Sequence, residues 1–238
     1  MNQEAPAKFR YIAFFDLLAD AVFLHQKANI EPNPYLSSRF ARGSISASSL
    51  STECFANCLL TILQPTRSLA NDLDKLPPLS KIDVALRLQG SKALDRGRIE
   101  VQRVAELIQA RNDYVHPKAS AVEASISTPQ DAENEWVLPV SMNAELWRGL
   151  EIPKPAMFWS KENSLSTLSA ICLFFRYVIV DLMNGDEDLI NEFFISRVEF
   201  GNIQMPGVYD EFRELLQSAS KFGLDFTFLN IQNNNFNP

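Results

Sequence analysis

Residues Gly97 to Pro117 read GRIEVQRVAELIQARNDYVHP, and the spacing of their apolar side chains decides the fold class. At about 100° per residue, Val101, Val104, Ala105, Ile108 and Val115 fall on one stripe, which predicts an amphipathic helix from about Gly97 to Val115. Asn112 lies within that stripe, with Arg111 toward one edge and His116 toward the other. Burying such groups without partners costs about 1–3 kcal/mol each, and more for a charge. They are therefore either satisfied inside the fold or used. Pro117 disfavours helical geometry at His116, which puts the imidazole where the helix ends, a common place for a pocket wall.

The same period recurs on either side. Pro6 to about Ala28 reads as a helix with Pro6 near its start. His25, near its end, has no arginine at a comparable spacing and reads as an ordinary surface or capping histidine. Pro32 and Pro34 mark Asn29 to Tyr35 as a loop. A second helix, from Ser37 or Ser44 to Gln64, carries Phe55, Cys58, Leu59, Ile62 and Leu63 at helical spacing. Serines in its first half permit close helix approach or leave room at a pocket. Glu53 and Asn57 are polar positions one turn apart on it and read as solvent-facing. Ser80 with Asp83 opens a short helix, Lys81 to Leu88.

After the central helix the period disappears. Ala119 to Thr128 and Glu135 to Met142 look like two strands around a turn at Gln130 to Asn134, with Pro139 confining the second to an edge. Trp147, Phe158 and Trp159, among Pro153 and Pro155, suggest a loop packed over something. Asn163 to Met183 is a strong helix, apolar nearly all round. Glu187 to Val198 and Gly207 to Lys221 add two more helices, Leu224 to Ile231 a short strand, and the Asn-rich end a mobile tail. The expected fold is mainly α, with a small β-hairpin and loop insertion at about 119–160.

The composition fits a globular chain with a full core: 238 residues, 46% hydrophobic and 21% charged. A net charge of −7 excludes a generally basic surface that coats nucleic acid. From Lys81 to Lys118, however, eight basic residues stand against five acidic ones. That window is either a solvated helix face or a local phosphate-attracting patch. Three cysteines, Cys54, Cys58 and Cys172, are an odd and sparse set that points to a reducing compartment. With two histidines no zinc constellation emerges, and no metal or cofactor is expected. Met1 to Lys8 lacks the apolar run of a secretion signal. Ile171 to Met183 is broken by Arg176 and Asp181 and reads as too short to span a bilayer. The expectation is a cytoplasmic protein with no membrane partner.

Arg111, the polar Asn112 and then His116, near the end of a helix in a helical chain, resemble the HEPN (higher eukaryotes and prokaryotes nucleotide-binding) superfamily. The family pattern is Arg, four to six residues, then His, and this chain matches it at the shortest spacing. The resemblance implies a HEPN-like helical bundle over residues 1–200, followed by a 201–238 segment. It implies Arg111, His116 and Asn112 as catalytic residues of a metal-independent endoribonuclease. It also implies a homodimer whose motif helices meet near the axis, an RNA substrate, a toxin–antitoxin or defence setting, and an antitoxin or other protein partner. In relatives a polar residue on the preceding long helix can face the motif, and Glu53 or Asn57 is placed for that. The same superfamily contains non-catalytic nucleotide-binding and assembly modules, and an Arg–His pair can also be a structural clasp.

The residue types suit the chemistry. Metal-free RNA cleavage needs a base for the 2′-hydroxyl proton, an acid for the departing 5′-oxygen and a cation for the phosphoryl charge. Histidine titrates near neutrality, and a guanidinium binds phosphate through several N–H groups. Asn112 can orient the imidazole or bond a phosphate oxygen. Lys118 and Arg103 would bind RNA phosphates, and Tyr114 would stack on a base or simply pack.

Overall fold

The computed structural model describes residues 6–119, 121–126, 130–132, 135–137, 140–185, 187–201, 203–207 and 210–229. Among them the chain is mainly helical, with a few small sheets. The Asn-rich end from residue 230, Pro139, and positions 133–134 of the expected turn lie outside the described residues.

Helix α1 (Phe14–Ile30) and helix α2 (Pro34–Ile62) form the central hairpin. The expected loop ends earlier than Tyr35. Asn33 caps α2, its Oδ1 accepting from the N–H of Tyr35 at 3.0 Å and of Leu36 at 3.2 Å. Pro34 takes the first helical position, where a missing N–H costs nothing. The serines of α2 work at close range. Ser44 and Ser48 are fully buried, and Ser44 Oγ donates to the carbonyl of Ala21 at 2.7 Å. A Cβ at Gly43 would sit 3.1 Å from Leu24 Cδ1, so the α1–α2 approach leaves little room there.

Helices α3 (Arg67–Leu73) and α4 (Pro78–Leu88) lead to α5 (Ile99–Val115), the helix predicted from the opening stretch. Helix α6 (Lys161–Arg176) continues through a π-helical segment, Tyr177–Leu182. Together Lys161–Leu182 is 22 residues long and holds an 18-residue window of mean hydropathy 1.7, long and apolar enough to cross a membrane by length and composition. The expectation of a stretch too short to span counted only from Ile171. In the fold 61% of that apolar window is buried. Helices α7 (Glu187–Phe194) and α8 (Asp210–Ser218) complete the set. An aromatic cluster ties α1, α2, α6 and α7. Phe14 meets Phe175 and Phe194 edge-on, each at 5.3 Å between ring centres, and Phe55 packs 4.8 Å from Phe175. Such pairs contribute about 0.5–1.5 kcal/mol beyond the area they bury.

Three expected elements change. The first helix does not begin near Pro6. Residues Lys8–Arg10 form strand β1, claimed by strand β8 (Arg197–Phe200), which pairs with β9 (Ile203–Pro206). The helix expected to reach Val198 accordingly stops at Phe194, because Arg197 and Val198 are in that sheet. The boundary expected at 200/201 falls in the turn between β8 and β9. The strand expected from Leu224 is instead a 3-10 turn at Thr227–Leu229.

Among the described residues the insertion forms two antiparallel strand pairs, here called the ribbon. Strand β2 (Glu123–Ile126) pairs with β5 (Val140–Asn143), and β3 (Gln130–Ala132) with β4 (Glu135–Val137). A short pair, β6 (Leu146–Trp147) and β7 (Ile152–Pro153), brings the chain back to the bundle.

Candidate functional site

Helix α5 packs on α6 and α2 through Val101, Val104, Leu107 and Ala110, all buried. The stripe is thus rotated from the expected one. Leu107 and Ala110 belong to it, whereas Ala105 and Val115 are exposed. The rotation carries Arg111 from the edge of the stripe to its inward side and leaves His116 outside.

Arg111 is 19% exposed and forms an ion pair through Nη2 with Glu53 of α2. Its Nη1 donates to Asn112 Oδ1 at 3.0 Å. Its Nε is buried without a hydrogen-bond partner among the described residues. With Ser49, Glu53, Pro78, Ile108 and Asn112 it lines a small cavity of about 160 Å³. Of the two polar positions on α2, Glu53 therefore faces the motif. Asn57 does not: it is exposed and accepts from Lys81 Nζ at 2.8 Å. Lys81 is a buried cation that the sequence reading counted only as part of the basic window. It also pairs with Asp74 at 2.9 Å.

His116 closes α5. Its backbone N–H still reaches the carbonyl of Asn112 at 2.9 Å, but its φ of −116° and ψ of 61° leave the helix, as Pro117 requires. The side chain is exposed, and it opens on a different depression from Arg111. That groove, about 1020 Å³, runs between the end of α5, strands β2 and β5, and the stretch after β7. Tyr114, Lys118, Glu123, Lys154 and Met157 share its lining with His116. Lys118 is exposed and has no ion pair with a described residue. Lys154 pairs with Glu145, holding that carboxyl below the usual carboxylate range, and it also lies 5.6 Å from the Trp147 ring centre.

The loop pattern after the ribbon has a clear target. Trp159 is buried, donates from Nε1 to the Pro153 carbonyl at 2.7 Å, and packs 5.5 Å from the ring of Tyr114. Packing is thus one occupation of Tyr114, although the residue keeps 40% of its surface exposed. Arg103 is also engaged: its Nε donates to the Gly149 carbonyl at 2.9 Å. Beside it Glu106 accepts from the N–H of Leu150 at 2.9 Å. These two bonds anchor the returning chain to α5.

Four of the eight basic residues of the window are ion-paired within the fold. Arg87 pairs with Asp83, Arg98 with Glu100, Arg111 with Glu53 and Lys81 with Asp74. Lys118 at the groove is the residue of that window that stands beside His116. Lys154 is a second groove cation that the sequence reading missed. Its only signal was the density of aromatic residues around it. All three cysteines are free thiols. His25, expected as a surface or capping histidine, is buried. Its Nδ1 lies 2.7 Å from Ser164 Oγ, its ring packs edge-on to Phe222, and burial pushes its pKa down.

No family model, curated protein or solved structure matches the chain.

Proposed function

We propose that the protein is a HEPN-type endoribonuclease that cuts RNA without a metal ion and works as a homodimer. On this reading it acts in a toxin or defence setting and is controlled by an antitoxin or another protein partner. The observation that carries the reading is the station of His116. It stands exposed at the end of α5, on a groove at the upper end of the size range of ligand pockets, with Lys118 and Lys154 also in its lining.

The reaction follows from those groups. The 2′-oxygen attacks the adjacent phosphorus in line as the phosphorus–5′-oxygen bond breaks, leaving a cyclic phosphate and a free 5′-hydroxyl. An imidazole takes the 2′-hydroxyl proton, and an imidazolium protonates the 5′-oxygen. One chain supplies His116 once, so the second imidazole comes from a second copy across a two-fold axis. Lys118 and Lys154 attract the phosphates. Arg111 binds phosphate only by exchanging the Glu53 carboxylate for it. Asn112, bonded to Arg111, fixes the guanidinium beside the helix end.

One observation favours a second reading, a non-catalytic nucleotide-binding or assembly module. Arg111 is held by Glu53 and Asn112 and opens on a separate small cavity rather than on the groove of His116. An RNA incubation in EDTA decides between the two. Cleavage by wild type and none by His116→Ala, with an unchanged melting temperature, supports the nuclease. RNA that wild type binds but leaves intact supports the second reading and overturns the first.

A further inference from the structure

The sheet β1–β8–β9 is built inside out. Its register aligns Phe9, Val198 and Met205 across the three strands, and Phe200 with Ile203 one step along. Side chains two apart share a face, so these five lie together. Tyr11 joins them, its ring 6.4 Å from that of Phe9. This is the face turned to solvent: Phe9, Tyr11, Phe200, Ile203 and Met205 are 61, 61, 41, 57 and 52% exposed. The opposite face carries Arg10, Arg197 and Glu199 and is the one turned to the bundle. Arg197 is 6% exposed and is satisfied by Glu199 at 3.0 Å and by the Glu192 carbonyl. A half-covered antiparallel sheet ordinarily points its apolar side inward. Here a slip of one residue would achieve that, and the bonds of Arg197 oppose it.

We infer that this face is the contact between two copies of the chain, stacked sheet on sheet about a two-fold axis parallel to the strands. The size fits. Large apolar side chains carry about 150–250 Å² each, so five at these exposures leave about 500 Å² of apolar surface in water. That is the scale of the core of an interface burying about 800 Å² per partner, once a polar rim is added. The two halves of the patch also fit each other. The β1 side is aromatic, Phe9 and Tyr11. The β9 side is aliphatic, Ile203 and Met205. A two-fold along the strands lays β1 of one copy over β9 of the other and β8 over β8. The ring of Phe9 then meets the flexible thioether of Met205, which is a favourable pairing. The smaller Val198 faces its own copy at the centre. The interface contains no residue of α5, so it rests on no part of the ribonuclease reading. A chain that also pairs through its motif helices would have both contacts.

Sedimentation of the full chain at micromolar concentration tests this. Wild type is expected above monomer mass. Phe9→Asp and Met205→Lys, each with the circular dichroism of wild type, are expected at half the wild-type mass. Mixing the two is expected to restore the assembly, because Asp of one copy then faces Lys of the other. Phe9→Ser and Met205→Ser serve as milder variants if the charged ones fail to fold, with the same halving expected. A monomeric wild type overturns the proposal. So do variants that keep the wild-type mass, or a mixture that stays dissociated. Flotation of monomeric wild type with anionic vesicles would assign the face to lipid and overturn it as well.

Discussion

Glu53 and Arg111 stand 58 residues apart in the chain, and an ion pair joins them across the packing of α2 on α5. It places the arginine of the motif in a half-buried setting with its charge answered from another helix. The histidine of the same motif stands outside, on a different depression.

Removing the carboxylate has a definite expected effect. In Glu53→Ala the guanidinium keeps Asn112 as its side-chain partner and loses its counter-charge. A broken bond to a largely buried charge costs about 1–3 kcal/mol. The partly exposed carboxylate, 42% accessible, moves the expectation to the lower end of that range. Glu53→Gln keeps an acceptor and should cost less. Urea unfolding of the three proteins checks the order, and an alanine variant as stable as wild type would show that the pair does not hold the helices.

Lys118→Ala should weaken RNA binding about equally for all sequences, since a phosphate contact carries no base information. For a single strand the slope of log K against log salt should fall in magnitude by about 0.7. Titrations over a salt series measure it. An unchanged slope would take Lys118 out of the interface.

The buried His25 makes stability depend on pH. Burial lowers its folded-state pKa below the ordinary 6.5, so the unfolded chain binds its proton more readily than the folded one. Stability is then complete above about pH 6.5 and is lost as pH falls below it, toward the folded-state value. His25→Gln cannot titrate and should flatten that part of the profile. Melting temperatures of both proteins between pH 7 and pH 5 test this, and parallel slopes would assign the acid loss to other groups.

Gly149 leaves little room for a side chain. A Cβ there would lie 3.0 Å from Glu106 Oε2, the oxygen that accepts from Leu150. Gly149→Ala should displace that carboxylate and cost about 1 kcal/mol, the net worth of an ordinary hydrogen bond. Protection of the Leu150 amide from hydrogen exchange should fall with it; unchanged protection would mean that Glu106 adapts freely.

Much of the helical architecture could be read locally. Pro34 and Asn33 mark the start of α2, although a proline beside a loop reads equally well as part of it. The helix ending at His116 follows from Pro117 and from the period before it. The angle of the buried stripe did not follow. Ala105 and Val115 are as apolar on paper as Ala110 and Leu107, and only contact with α2 and α6 separates them. Lys81 and Lys154 were equally invisible. A lysine in a sequence carries no mark of whether its ammonium reaches Asp74 and Asn57 from the interior or lines an open groove.

By itself the amino-acid order determined the helical class, the extent of α5 and the place of His116 at a helix end. Those are consequences of 3.6-residue periodicity and of proline sterics, which act within a few residues. Tertiary structure alone decided that Arg111 turns inward to Glu53, that residues 8–10 leave the first helix to pair with residues 197–199, and that the resulting sheet shows water its apolar side. Those outcomes depend on segments far apart in the chain competing for the same backbone and the same buried space, which no local pattern records.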